Sequence, residues 1–157
     1  MYSNMRRQER QLGTPEGIDV LEKGEYGVLS TLDSEGNPYG VPLNYVYSDE
    51  CIYFHCALEG QKIDNIKNDS RVSFCVVGNT QVVPEKFTSH YVSVIIFGKA
   101  AEMHEEEKEN ALMALIEKYS SDYIGAGRQY AKKALKKTGV YKIKIEHFTA
   151  KANPKRD

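Results

Sequence analysis

Residues 39–62 read Tyr39-Gly40-Val41-Pro42-Leu43-Asn44-Tyr45-Val46-Tyr47-Ser48-Asp49-Glu50-Cys51-Ile52-Tyr53-Phe54-His55-Cys56-Ala57-Leu58-Glu59-Gly60-Gln61-Lys62. Two runs rich in β-branched and aromatic residues flank the polar turn Ser48-Asp49-Glu50, the pattern of antiparallel strands joined by a hairpin. Pro42 removes a ladder donor, which places the first strand, residues 39–47, at a sheet edge or a bulge. The second, residues 51–56, ends before Gly60, and a short polar helix is expected over residues 61–68. A strand, a glycine turn and a helix with Lys62 in its first turn gather unpaired amides and an ammonium, a set suited to a phosphate monoester. His55 keeps the alternation of Cys51 and Tyr53, which turns it to one side of the strand.

Working toward the N-terminus, residues 26–32 form a strand followed by the turn-rich Asp33-Ser34-Glu35-Gly36-Asn37. A helix is expected with Thr14 as N-cap, Pro15 at its first position, Glu16 in its first turn and Gly24 as its stop. Residues 1–13 are polar and read as a mobile or partner-draped arm.

Toward the C-terminus, residues 71–77 form a nearly continuous apolar strand, expected to be buried on both faces. A long polar loop follows over 78–90, then the most hydrophobic strand over 91–101. The clearest helix, 104–119, carries Ala111, Leu112, Leu115, Ile116 and Tyr119 as one stripe, with Lys118 at the negative end of its dipole. A basic helix over 128–137 precedes a last strand, 139–148, and a frayed tail, 151–157. Hairpin-joined strands with helices inserted late point to a closed or split antiparallel barrel rather than a parallel α/β sheet. The chain reads as one domain over residues 1–157, with its core at about 14–150 and flexible tails at 1–12 and 151–157.

Composition narrows the function. The 157 residues are 27% charged with a formal net charge of −1, which argues against a nucleic-acid footprint. The four lysines Lys132, Lys133, Lys136 and Lys137 read as a solvated helix face. Three cysteines without CxxC spacing fit small hydrophobes in a reducing cytosol better than a disulfide framework. His55, His90, His104 and His147 show no metal-ligand spacing, so no metal is expected. The first seven residues lack an apolar signal core, and no stretch is long and apolar enough to span a membrane. A cytoplasmic protein is expected.

Two further segments carry candidate chemistry. In residues 39–45, Gly40 and Pro42 disturb regular pairing and free backbone groups for a planar heterocycle; Leu43 offers a packing surface and Asn44 a donor and an acceptor. In residues 91–98, Ser93 is a lone hydroxyl in an apolar strand and needs a partner when buried. Each of the three segments, taken alone, also has an ordinary structural reading: a solvated helix lysine, a bulged edge strand, a serine bonded to a neighbouring carbonyl.

Taken in order, Arg6-Arg7, residues 40–47, 53–62 and 72–76, Val83-Pro84-Glu85-Lys86-Phe87-Thr88, Ser93-Val94-Ile95 and residues 145–151 resemble the nitroimidazole-resistance proteins. These belong to the pyridoxamine 5′-phosphate oxidase-like, FMN-binding split barrels, and the resemblance spans about residues 5–151. It implies a mainly β fold, a six-stranded antiparallel split barrel with flanking helices, in a homodimer with FMN at the subunit interface. It implies that His55, Ala57, Gly60 and Lys62 hold the phosphate and ribityl end. Val41, Pro42, Leu43, Asn44 and Tyr45 would line the ring, Ser93 and Val94 would flank it, and residues 84–90 would cover it. The true pyridoxamine phosphate oxidases end in an arginine-bearing segment that grips the substrate phosphate. Residues 148–157 do not look like it, so oxidation of vitamin B6 is not expected.

The expected activity is flavin-dependent reduction of a small, flat, electron-poor aromatic such as a nitroimidazole. Tyr39, Tyr45, Phe87 and Tyr91 would edge its slot, and His55, Tyr45 and Tyr91 are the candidate proton donors. The alternatives are a flavin carrier or redox sensor without turnover, and a split barrel that holds deazaflavin or haem.

Overall fold

The computed structural model describes residues 2–154. Seven strands form one antiparallel sheet: β1 (Gly27–Leu32), β2 (Pro38–Leu43), β3 (Val46–Ser48), β4 (Cys51–Cys56), β5 (Arg71–Val83), β6 (Thr88–Glu102) and β7 (Gly139–Asn153). Their order is β2-β1-β5-β6-β7-β4-β3. The helices are α1 (Thr14–Lys23), α2 (Gln61–Asn68), α3 (Glu105–Tyr119) and α4 (Ile124–Ala134). The two edges of the sheet, β2 and β3, are consecutive in the chain and joined only by Asn44 and Tyr45. The sheet therefore curls almost back on itself and stays open at that corner, a split barrel.

Alternation builds the interior. Leu29, Ile52, Phe54, Phe74, Val76, Val94, Ile96 and Ile143 all point inward and are fully buried. Leu21 of α1 and Ile63 and Ile66 of α2 join the same cluster. A second, smaller core packs α3 and α4 against the barrel through Met103, Ala111, Leu112, Ala131 and Val140.

Several expectations need correction. The strand expected over 39–47 is two, which makes seven strands rather than six. Tyr45 turns its ring into the core, where it is fully buried, and its backbone N–H finds a phenol instead of a ladder partner. The strand from Arg71 is not buried on both faces. Val72, Phe74 and Val76 point inward, but Ser73 and Cys75 are half-buried and Val77 is 50% exposed. The loop expected over 78–90 is a β-ribbon: β5 runs to Val83, a single 3-10 turn spans Pro84–Lys86, and Phe87 takes a left-handed φ of 50°. Its residues are polar because a ribbon projecting past the core is held by backbone bonds, which impose no apolar alternation.

Helix α1 is capped by Gly13, not Thr14, and no side-chain cap bond forms there. Gly24 ends it as expected, but with an ordinary φ of −63°; a Cβ there would lie 2.5 Å from the Tyr45 Oη and 2.6 Å from Val76. Helix α4 begins at Ile124 and ends at Ala134, both earlier than expected; Lys132 and Lys133 lie in its last turn, Lys136 and Lys137 in the turn beyond it, and all four are exposed. Strand β7 continues through Lys151 to Asn153, so that part of the expected tail is ordered pairing; residues 155–157 lie outside the described residues. The N-terminal arm folds along its own chain: Leu12 donates its N–H to the Ala150 carbonyl, and Tyr2 stacks on His147 at 4.8 Å. No helix among the described residues is long and apolar enough to cross a membrane.

The barrel's tightest backbone approach is at the β6–β7 bulge, where the register shifts between Phe97 and Gly98. A Cβ on Gly98 would lie 2.1 Å from the Lys144 carbonyl oxygen, a backbone group that cannot rotate away as a side chain would. Gly98→Ala is expected to destabilise by about 1–3 kcal/mol, the usual range for overpacking, read as a lower denaturant midpoint. An unchanged midpoint would show that the bulge absorbs the methyl.

Candidate functional site

The expected phosphate end is built where β4 hands over to α2. Gly60 caps the helix at φ 136° and ψ 163°, a region open essentially to glycine alone. Space beside it is empty: a Cβ on Gly60 would meet nothing within 4 Å. The helix's own bonding begins with Ile63 and Asp64 donating to the Gly60 carbonyl, which leaves the amides of Gln61 and Lys62 for an outside acceptor. The helix is anchored firmly: Ile63 and Ile66 sit in the core, and the buried Asn65 donates from Nδ2 to the Thr31 Oγ1 at 2.8 Å. Lys62 is half-buried and has no ion-pair partner among the described residues. Burial pushes the neighbouring Cys56 thiol up, partly offset by the Lys62 charge. Ala57 and Gly60 are both exposed on this turn.

The expected ring strand, β2, is a free edge paired only to β1. Pro38, Gly40 and Pro42 share one parity. Prolines are tolerated in an antiparallel strand only where the N–H would point away from the neighbour. Tyr39, Val41 and Leu43 therefore carry the bonds to β1, and Gly40 alone offers an outward N–H. Val41 and Leu43 are half-buried against the core, Pro42 and Asn44 are exposed. Asn44 donates from Nδ2 to the Glu25 carbonyl at 2.9 Å.

Tyr45 is not an available proton donor. Its ring is fully buried, its hydroxyl donates to the Leu21 carbonyl at 2.7 Å, and burial raises its pKa far above the ordinary phenol value. Only its backbone is left to line a ligand. Val94 is likewise a core side chain, while its neighbour Ser93 is on the opposite face and 8% exposed. Tyr91 stands on that outer face beside Lys151, whose Nζ lies 5.4 Å from its ring centroid. Hydrogen bonding to Lys151 lowers the Tyr91 pKa, with Arg10 adding to the effect. Phe87 is 97% exposed at the tip of the β5–β6 ribbon, and Tyr39 is half-buried on β2. Within one chain, then, Tyr39, Tyr45, Phe87 and Tyr91 do not form a common slot.

The structure does bring Asn44 and His55 together. Both line a cavity of about 230 Å³ roofed by α3 and α4, with Leu112, Tyr119, Tyr130 and Ala134 among its other walls. Lys62 is not among the lining residues, so His55 and Lys62 face different surroundings at the end of β4. Burial alone holds the His55 pKa below its ordinary value.

Two residues that sequence reasoning placed only on a helix govern this corner. The Tyr119 hydroxyl accepts the Tyr45 N–H at 3.0 Å and lies 2.6 Å from the Glu25 carbonyl and 2.8 Å from the Tyr45 carbonyl. The Lys118 ammonium, at the negative end of the helix dipole as expected, lies 4.0 Å above the Tyr45 ring. It is buried with no hydrogen-bond partner among the described residues, and burial lowers its pKa to about 8. The available signal was the last turn of α3, where a tyrosine closing an apolar stripe needs somewhere to send its hydroxyl.

Comparison with known proteins bears on the same geometry. A family model for pyridoxamine 5′-phosphate oxidase matches residues 14–152. No curated protein matches the sequence. Among solved structures, a candidate 5-nitroimidazole antibiotic resistance protein of Bacteroides thetaiotaomicron is similar at 21% identity with a TM-score of 0.72, covering 97% of this chain and 96% of that one. An FAD-binding protein of Mesorhizobium loti is similar at 24% identity and a TM-score of 0.67, over 91% of this chain and 96% of its own. An FAD and heme binding protein of Mycobacterium smegmatis is similar at 16% identity and a TM-score of 0.79, over 91% and 73%. At these identities the likeness is one of fold.

Lys118 gives the site a pH signature. Its folded pKa of about 8 lies below the ordinary lysine value of 10.5, so between those values the unfolded chain holds a proton that the folded chain has lost. Stability then rises with pH across that window, and the full penalty of a buried ammonium is present below it. The contact with the Tyr45 ring offsets part of that penalty. Lys118→Met is expected to raise the melting temperature at pH 7 and to flatten the rise between about pH 8 and 10.5. Thermal melts at several pH values check this; a lower melting temperature for Lys118→Met at pH 7 would make the ammonium a net stabiliser.

Proposed function

This chain belongs to the pyridoxamine 5′-phosphate oxidase family, and from that premise we propose that it is an FMN-binding oxidoreductase working as a homodimer. The observation that carries the reading is the cradle at the start of α2. Gly60's open backbone, the two first-turn amides and the unpaired Lys62 suit the terminal phosphate of a mononucleotide. Flavin binding by the similar proteins of M. loti and M. smegmatis supports a flavin here. A single lysine at a single helix start suits a monoester better than a pyrophosphate that continues into a second nucleoside.

The free edge of β2 would take the ring. Val41 and Leu43 give it apolar support, and Gly40 and the Tyr45 backbone give it polar groups. When bound, the flavin supplies the electron transfer. The chain's own part is to fix the phosphate at α2, support one face of the ring and keep water from it. The acceptor we propose is a small, electron-poor aromatic such as a nitroimidazole, in keeping with the similar protein of B. thetaiotaomicron.

The dimer is proposed from the outer sheet face. Val28, Cys75 and Ile95 lie across three neighbouring strands in register, with Val77 one step along. Val77 is 50% and Ile95 39% exposed, and a contiguous apolar patch on a sheet marks an interaction surface. A second reading, a flavin carrier or sensor without turnover, is favoured by one observation. The Tyr45 phenol is fully committed to Leu21, which leaves the β2 corner without a dedicated proton donor.

Purified protein is expected to take up FMN stoichiometrically. A charge-assisted hydrogen bond is worth roughly 1.5–3 kcal/mol, so Lys62→Ala should weaken FMN about ten- to a hundredfold and leave riboflavin nearly unchanged. Equal losses for both ligands in a titration would sink the phosphate role. Light scattering should give twice the chain mass, and Ile95→Asp should shift the protein toward monomer. A monomeric wild-type protein that still binds FMN tightly would refute the interface.

A further inference from the structure

The cavity beneath α3 and α4 exists because of what α4 lacks. Gly127 allows the two helices to meet so closely that a Cβ there would lie 2.4 Å from the Ile116 Cγ2. Ala131 and Ala134 follow at the next turns on the same face and are buried. Their methyl groups stop short of the strand below, and the gap is the 230 Å³ cavity.

Its lining has two properties. First, no Asp, Glu, Lys or Arg contributes to it, in a chain that is 27% charged. Second, neutral polar groups ring an apolar wall of Leu112, Leu115 and Ile116: Asn44, His55 and Thr138 from the strand side, Tyr119, Ser120 and Tyr130 from the helices. Asn44 has its amide nitrogen engaged by Glu25, which leaves its Oδ1 as an acceptor. His55 is exposed overall, with partial desolvation lowering its pKa, and its neutral imidazole offers one further donor and one acceptor. An apolar pocket with a few convergent polar groups is the ordinary form of a small-molecule site.

Size decides what fits. Sites for drug-sized ligands run from about 300 to 1,000 Å³, so a cleft of about 230 Å³ suits a molecule smaller than a flavin. A larger hollow, a groove of about 400 Å³ on the outer sheet face, is less suited. It already holds the Tyr2 ring, and its charged rim is spent on internal pairs, Arg71 with Asp69 and Lys99 with Glu146.

We propose that the α3–α4 cavity is a second binding site, separate from the flavin cradle, for a small, flat, uncharged molecule bearing an N–H or O–H donor. The donor bonds Asn44 or His55, and the ring lies against Leu112 and Leu115. The site is independent of the flavin reading, since nothing in its lining belongs to the α2 cradle.

Indole serves as the probe, with benzoate as the charged counterpart, on the protein as isolated and again after saturation with FMN. Amide shifts in NMR titrations should map to Asn44, His55, Leu112 and Ala134. Benzoate should bind at least tenfold more weakly. Ala134→Leu, which fills the cavity, should weaken indole at least tenfold while FMN uptake is retained. Shifts that map elsewhere, benzoate binding as well as indole, or equal indole affinity in Ala134→Leu would overturn the proposal. So would competition between indole and FMN, and that result would leave FMN binding itself untouched. Should Ala134→Leu fail to fold, the wild-type shift map and the benzoate comparison decide the matter, with Ala131→Val as the milder filling variant.

Discussion

A single phenol holds the place where this barrel splits. At Asn44 and Tyr45 the chain leaves one sheet edge and begins the other, so the backbone there has no strand beside it. Unsatisfied peptide groups next to a core are costly, and the Tyr119 hydroxyl supplies what the missing strand would have given. It accepts from the Tyr45 N–H, and its one proton serves the Glu25 carbonyl at 2.6 Å or the Tyr45 carbonyl at 2.8 Å. With Asn44 also bonded to Glu25, three segments distant in sequence are fixed at one point. The opening keeps its shape because α3 reaches down to it.

The same knot explains the burial of Lys118. A helix whose terminal tyrosine must touch the barrel corner brings the preceding side chain against the Tyr45 ring. Position, rather than any gain from the ammonium, accounts for a lysine in so dry a place. The ring's electron-rich face makes the arrangement tolerable, and the depressed pKa records the remaining penalty.

Much of the architecture is legible in the sequence because it rests on local chemistry. The span of α2, the strand Cys51–Cys56, the stop at Gly24 and the edge position implied by Pro42 all follow from residues acting on their own neighbourhood. What is not legible depends on distant partners. Nothing near Tyr45 announces that its backbone N–H will be met by a phenol 74 positions away, where one expected strand becomes two. Residues 71–77 look buried on both faces because their outer side, Cys75 and Val77, is nearly as apolar as the inner one. A single sequence cannot separate a core face from a face meant for another molecule. The ribbon over 78–88 reads as a loop for the opposite reason, since strands beyond the core need no apolar alternation. In the candidate site, the cradle residues stand out by their types and spacing. The His55–Asn44 cavity does not, because its roof is a helix expected to start later and its volume is set by alanines.

A split barrel concentrates binding chemistry at its seam. A closed barrel satisfies every strand edge and leaves only side chains for recognition. Here β2 keeps a free edge, and its prolines decide what that edge presents. With Pro38 and Pro42 lacking N–H groups, Gly40 is the one outward donor along the strand, flanked by carbonyls. An edge so poor in donors is a weak template for pairing with another strand, yet it retains one amide and several acceptors for a planar heterocycle with its own N–H groups. The prolines thus protect the edge from aggregation and sharpen its polarity at the same time. On the far side of the seam, the α2 amides and Lys62 present only donors. Under the function proposed above, a ligand with an anionic end and a ring that both gives and takes hydrogen bonds would draw on these two surfaces, one on each side of the opening.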